Sequence, residues 1–390
     1  MLSKRMNRLG TETAFEVLAR AKAMEASGRE IIHLEIGEPD FDTPHNIIEA
    51  ATRALESGYT HYCPSAGLPD ARAVFAEFIS KDRGTPVGPE NIVITPGAKP
   101  ILFFTILALA EEGDEVIYPN PGFPIYESVI DFAGATPVPL QLREEKAFSF
   151  DPRELAALVN ERTKLIIVNT PQNPTGGVLT SDDMKLVAEL AQKYDAWILS
   201  DEVYSRIIYD GPHASIFEYP EVKDRTILLE GHSKTYAMTG WRLGYGVMPA
   251  KLAEQIAKLQ TNCTSCTPSF VQMAGIEALT GPQKESERMV VEFRQRRDLI
   301  VDGLNEIPGF RCLRPKGSFY VFPNITGTGM PSRKVADLML QEAGVAVLSG
   351  TAFGKFGEGY VRLSYANSKE NISKALEKMT AVIKNHVKSA

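Results

Sequence analysis

The chain is poor in cysteine, with four in 390 residues, and none of them completes a metal site. Cys263 and Cys266 form the single CxxC, with no second pair and no nearby histidine, so no structural zinc is expected. Their spacing equals one turn of what reads as helix, and they read, with Cys63 and Cys312, as structural thiols. The six histidines show no HExxH or other ligand spacing, which leaves metal catalysis without support. No long apolar run is present either. The longest, Ile101 to Ala110, falls far short of the roughly 20 residues a membrane-crossing helix needs. The basic start MLSKRMNRLG is not followed by the apolar core of a signal peptide, so cytoplasm is the expected compartment. Basic residues are not in excess: 42 Lys+Arg against 49 Asp+Glu leave a net charge of −7, which argues against a nucleic-acid binder. GxGxxG, GxxxxGK(S/T) and GxSxG are all missing, so the common dinucleotide, P-loop and hydrolase readings lose their signals. What is there, 44% hydrophobic and 23% charged residues, is the composition of an ordinary globular protein. At about 150 residues per domain, two or three domains are expected.

Residues 14–26 read as a helix ended near Gly28, and EIIHLEIG (30–37) as a strand. From residue 46 onward short β-branched runs alternate with helical patterns. The runs are NIVIT (91–95), DEVIYP (114–119), TPVPL (136–140), KLIIVN (164–169), AWILSD (196–201), RTILLEG (225–231) and GYGVM (244–248). The helices between them include Lys99–Glu111, Tyr126–Phe132, Asp182–Lys193 and Pro249–Gln260. This alternation predicts an α/β fold with a mostly parallel, seven-stranded sheet covered on both faces. After a long helix near 282–304 the character changes. FRCLRP, GSFYVFPN, VAVLSG and YVRLSYA read as strands, and 333–343 and 369–388 as helices. The expected division is a large domain at 46–282, and a smaller α+β domain made of 1–45 and 283–390.

In open α/β sheets ligands bind beyond the carboxyl ends of the strands, so the residues just after each run carry the information. After NIVIT comes Pro96-Gly97-Ala98-Lys99 at a helix start, a turn suited to an anion or phosphate. After KLIIVN comes TPQNPTGG with Asn173. Asp201 ends AWILSD, with Tyr204 behind it, and after RTILLEG come His232, Ser233 and Lys234, with Arg242 eight residues on. Each alone has an ordinary reading: a turn, a helix cap, a solvated lysine. Jointly, a phosphate cradle, a carboxylate, a phenol, an amide and a lysine form the inventory of a pyridoxal phosphate site.

The motifs themselves carry a resemblance. NPTGG (173–177), SDEVYSRIIYDG (200–211) and SKTYAMTGWRLGYG (233–246) resemble the signatures of class I/II aminotransferases of fold type I. GEPDFDTP (37–44) and YVRLSYA (360–366) resemble the terminal signatures of the same family, in the expected order. The resemblance implies an enzyme of amino acid metabolism. It would move an amino group from an L-amino acid to a 2-oxo acid, with 2-oxoglutarate as the expected acceptor. The route runs through pyridoxal 5′-phosphate (PLP) held as a Schiff base on Lys234, and through pyridoxamine phosphate. Lys234 is then also the catalytic base. Asp201 is the partner of the pyridine nitrogen, and Tyr204 and Asn173 donate to the phenolic oxygen. Ser233, Arg242 and the backbone of Gly97, Ala98 and Lys99 are the phosphate ligands, and Phe123 stacks on the ring. Arg362, with Gly37 and Asn173, binds the substrate, Arg362 as the clamp of the α-carboxylate. Tyr62 is implied to reach the phosphate of a neighbouring subunit, hence a homodimer. No membrane, nucleic acid or metal partner is implied.

Two departures stand out: Gly231 where many relatives have Ser or Ala, and His232 beside it. Lys99 matches a lysine that some aspartate-using relatives direct toward a distal carboxylate, whereas Thr11 and Thr13 match their hydroxyls only loosely. The donor and acceptor therefore stay open. A C–S β-lyase of the same fold uses the same cofactor residues and is the alternative reaction. A PLP-binding transcription regulator is the remote one, since the first helix starts too early to leave room for a DNA-binding module.

Overall fold

The computed structural model describes residues 2–387. The seven β-branched runs all form strands: β1 (Ile92–Thr95), β2 (Glu115–Asn120), β3 (Thr136–Arg143), β5 (Thr163–Asn169), β6 (Trp197–Asp201), β7 (Thr226–Gly231) and β8 (Gly244–Val247). An eighth, β4 (Ser149–Phe150), corrects the expected count of seven; its two residues are too short to show as a run. The sheet order is β1-β8-β7-β6-β5-β2-β3-β4. Pairs β7·β6, β6·β5, β5·β2 and β2·β3 are parallel, while β8 is antiparallel to both β1 and β7, and β4 to β3. Six strands thus share one direction. β1, β2 and β8 are buried at every residue, as a sheet covered on both faces requires.

The covering helices start on local signals. Ser181–Lys193 opens on a capping box, Thr180 Oγ1 accepting from the Asp183 amide and Asp183 Oδ2 from the Thr180 amide. Lys99–Leu109 starts directly from the turn after β1, with Pro100 in its first turn.

The C-terminal part builds a second core. Val361–Ser364 lies between Tyr320–Val321 and Leu348–Ser349 in a small antiparallel sheet, and Ile32–His33 pairs in parallel with Val345–Ala346. Ile32 and Leu34 of the N-terminal segment therefore pack in one cluster with Phe293, Phe319, Leu363 and Met379. These strands are shorter than expected: EIIHLEIG keeps two residues, and FRCLRP only a bridge from Arg311 to Asn324. Pro315 and Pro323 remove ladder donors there, and Ser318 has φ +56°. The helix expected at 333–343 is α-helical over Ser332–Leu338 and widens to a π-turn through Ala343. The last helix runs Lys369–Val387; residue 388 of its expected range lies outside the described residues. The CxxC does not share a helical turn: the helix Ala250–Cys263 ends at its first cysteine, and Ser265, at φ +63°, turns the chain before Cys266. All four cysteines are free thiols, and no described helix is long and apolar enough to cross a membrane.

Candidate active site

Because six strands share a direction, their carboxyl ends form one edge, where Thr95, Asn169, Asp201 and Gly231 finish β1, β5, β6 and β7. The reversed strand β8 starts at that same edge, with Gly244 in register with both Thr95 and Gly231. Arg242, two residues earlier, is carried to the phosphate-type turn by this reversal. The approach is tight. Gly97 has φ +89°, and a Cβ there would lie 2.3 Å from Arg242 Nη2. One on Gly244 would lie 2.4 Å from the Ala98 nitrogen. Glycine is the residue that leaves both spaces free.

A cavity of about 480 Å³ opens over this edge. Its wall brings together Gly37, Ala98, Lys99, Phe123, Asn173, Asp201, Tyr204, Ser233, Lys234, Arg242 and Arg362, all singled out in the sequence. Gly97 lies behind the wall against the Arg242 guanidinium. Tyr62 does not join them; its side chain is 89% exposed.

Lys234 Nζ donates to the Gly37 carbonyl at 2.5 Å. Burial lowers its pKa to about 8, opposed by Glu38 and aided by the positive charges of Arg362 and Arg242. A Cβ on Gly37 would lie 1.8 Å from Tyr320 Oη, so a bare backbone is what admits that carbonyl. Asp201 is buried, and burial raises its pKa to about 6, held back by the Tyr126 hydroxyl donating to Oδ2 at 2.6 Å and by the Val203 amide. The hydroxyls of Tyr204 and Tyr320 are 2.8 Å apart. The Arg362 guanidinium lies 4.5 Å from the Tyr320 ring centroid and 5.0 Å from that of Phe353. It donates to Asn173 Oδ1 at 3.2 Å and to the Glu35 carbonyl, while its buried Nε has no partner. Burial lowers its pKa.

Sequence reasoning missed Tyr126, Tyr320, Glu12 and Glu38. Tyr126 had a signal: it stands three residues after Phe123 at the start of a helix. Tyr320 and Glu12 had none, because they reach the cavity from distant segments. The side chain of Lys99, matched in the sequence to a lysine directed toward a distal carboxylate, is paired with Glu12.

The two departures have separate accounts. A Cβ on Gly231 would meet that of Ala98 at 3.3 Å, so glycine relieves a tight contact with the phosphate-type turn. His232 faces away from the cavity, buried against Phe75, Tyr236 and Tyr245, and neither ring nitrogen has a partner in hydrogen-bonding geometry. Burial pushes its pKa down to about 4, against a weaker opposing influence of the Gly275 backbone. The folded pKa is thus below the ordinary 6.5, so the unfolded chain takes the proton first. Stability from this residue is present above pH 6.5 and lost as pH falls toward 4, by about 3 kcal/mol in full. His232→Phe is expected to raise the melting temperature and to flatten its fall between those pH values. An unchanged pH profile in thermal unfolding would contradict this.

The arrangement holds an amine near neutrality, a carboxylate at the sheet edge, an anion-binding turn with an arginine, and a buried guanidinium. That set suits a planar phosphate ester with a cationic ring nitrogen, beside a carboxylate ligand. Comparison with known proteins agrees with that chemistry. Residues 29–379 match the family model described as aminotransferase class I and II. The chain is 45% identical over 370 residues to an aspartate aminotransferase of Pyrococcus horikoshii, covering 93% of this chain and 92% of that protein. It is 41% identical over 358 residues to aromatic-amino-acid aminotransferase 2 of Thermococcus litoralis, covering 91% and 92%. Among solved structures, the aspartate aminotransferase of Thermus thermophilus with maleate superposes with a TM-score of 0.93 at 37% identity, covering 98% and 99% of the two chains.

Proposed function

The chain belongs to the class I and II aminotransferases, and from that premise we propose that it carries PLP on Lys234 and passes amino groups from an L-amino acid to 2-oxoglutarate. The observation that carries this reading is the position of the Lys234 amine, held near pKa 8 in one cavity with Asp201, Arg242 and Arg362. The residues present fit the cofactor: the Arg242 guanidinium fills the space beside Gly97 at a helix start, which suits a phosphate, and Asp201, Tyr204, Asn173 and Lys234 on the same wall suit its ring. When bound, PLP supplies an electron sink that weakens the Cα–H bond of an attached amino acid.

The chain's own residues then divide the work. Arg242, Ser233 and the amides of Gly97, Ala98 and Lys99 take the phosphate at a helix start. Asp201, steadied by Tyr126, keeps a proton on the ring nitrogen. Tyr204 and the amide nitrogen of Asn173 donate to the phenolic oxygen; Asn173 is free to do so because its Oδ1 already accepts from Arg362. Phe123, on the cavity wall, would stack on the ring. Arg362 takes the substrate α-carboxylate, with its unpartnered Nε and Gly37 nearby. Lys234 is the covalent anchor and, once released, takes the proton from the substrate Cα, a role that suits an amine uncharged above about pH 8.

The same reading places Tyr62 at the phosphate of a second copy, so the active unit is a homodimer; its nearly full exposure in one chain supports this. It divides the chain into a large domain at 46–282, and a small one from 1–45 and 283–390, supported by the core that joins Ile32 and Leu34 to the C-terminal part, against which Tyr204, Ile207 and Tyr209 of the large domain pack. Cytoplasm fits four free thiols.

The test is the absorption spectrum of the purified protein with single L-amino acids. A visible band that bleaches with an amino acid alone and returns on adding 2-oxoglutarate is the expected result. A band that persists while pyruvate and ammonia accumulate would overturn it in favour of β-elimination.

A further inference from the structure

Four cations face the cavity: Lys99, Lys234, Arg242 and Arg362. Three have work in the reading above, as base, phosphate ligand and α-carboxylate clamp. The side chain of the fourth does not. The Lys99 ammonium lies 5.5 Å from the centroid of Phe123, on the cavity wall, and is bonded to the carboxylate of Glu12. Glu12 immediately precedes the helix Thr13–Ala26 and is brought to Lys99 across 87 residues of sequence. It enters the wall together with Ala14 and Phe15, and its side chain is 18% exposed against 44% for that of Lys99, so the carboxylate is the more sheltered half of the pair.

We propose that Glu12 is a specificity-determining residue, which occupies the cation that a substrate side-chain carboxylate needs and thereby selects donors with neutral, apolar side chains over acidic ones. The inference rests on the aminotransferase reading of this cavity. An incoming side-chain carboxylate meets a wall whose one spare cation is already neutralised. To reach Lys99 it must displace a partly buried carboxylate and then lie beside it, and like charges brought together oppose binding. No other wall carboxylate is free to take over the pair. Glu38 accepts from the Thr239 hydroxyl, and Asp201 from that of Tyr126. An apolar side chain displaces nothing and finds Phe15, Ile36, Leu102 and Phe123 around it.

The experiment compares kcat/KM for L-phenylalanine and L-leucine with that for L-aspartate and L-glutamate, using one 2-oxo acid acceptor. It is run on the wild type, Glu12→Gln, and Glu12→Gln with Lys99→Met. The Kd of succinate, an unreactive dicarboxylate, is measured on each. The wild type is expected to favour the neutral donors by about tenfold or more. Glu12→Gln raises the acidic-to-neutral ratio by about tenfold and tightens succinate by a similar factor, and the added Lys99→Met removes both gains. Should Glu12→Gln not fold, Glu12→Ser is scored the same way. A wild type that prefers acidic donors, or a ratio and a succinate Kd that Glu12 substitution leaves unmoved, overturns the inference. Transfer with an unmoved ratio overturns it alone, whereas no transfer from any donor to any acceptor overturns the functional reading and this inference together.

Discussion

Lys234→Ala is expected to lose the visible band of the lysine-linked cofactor and at least about 10⁴-fold in turnover. One side chain is asked for two things, a covalent anchor and a base at the substrate Cα, and nothing nearby replaces it. Among the lysines of the cavity wall the other is Lys99, whose ammonium is tied to Glu12. Of the remaining wall carboxylates, Glu38 accepts from the Thr239 hydroxyl, and Asp201 is held by Tyr126 at the sheet edge. Folding should not suffer. Lys234 makes one hydrogen bond, to the Gly37 carbonyl, and burial opposes its charge, so its loss relieves as much as it removes. The variant should therefore keep its melting temperature and still bind PLP without covalent attachment, through the contacts of Arg242, Ser233 and Asp201. Sustained multiple turnover by this variant would end the assignment of Lys234.

Arg362→Lys should lower kcat/KM for amino acid donors by about 10²–10³-fold, a loss of about 3–4 kcal/mol. A lysine keeps the charge but cannot present two parallel N–H groups to a carboxylate, nor place a planar cation over the rings of Tyr320 and Phe353, 4.5 and 5.0 Å from their centroids. It would also leave the Glu35 carbonyl and Asn173 Oδ1 without their donor. The α-carboxylate is present in ground and transition states alike, so the loss should appear chiefly in KM. A primary amine donor without an α-carboxylate separates this role from general damage. Its slow reaction should be nearly the same in wild type and variant. An equal loss for both donor types would show that Arg362 supports the fold and does not clamp the substrate.

How much of this was legible in the chain follows the range of the forces involved. The seven β-branched runs and the helices between them are local patterns, and all seven became strands because period and propensity act over a few residues. The same locality put Asp201, Ser233 and Lys234 in view: each stands at the end of a run, and strand ends in such sheets meet ligands. The two-residue strand β4, the shortened strands of the C-terminal part and the break between Cys263 and Cys266 were not visible, since prolines, single residues of positive φ and tertiary pairing settle such details.

Residue types and their order along the chain by themselves determined the α/β architecture, the edge of the sheet that carries the chemistry, and the lysine, aspartate and arginine placed there. Only the tertiary structure decided what each of these groups can do. The reversal of β8 returns Arg242 to the turn at Gly97, and Tyr320 and Glu35 meet Arg362 from separate segments. Glu12 reaches Lys99 in the same way, from a segment far off in sequence. Burial among these neighbours sets Lys234 near 8 and Asp201 near 6, and pairing leaves Lys99 neutralised. Protonation and charge depend on distance and on exclusion of water, which chain order does not encode and packing does.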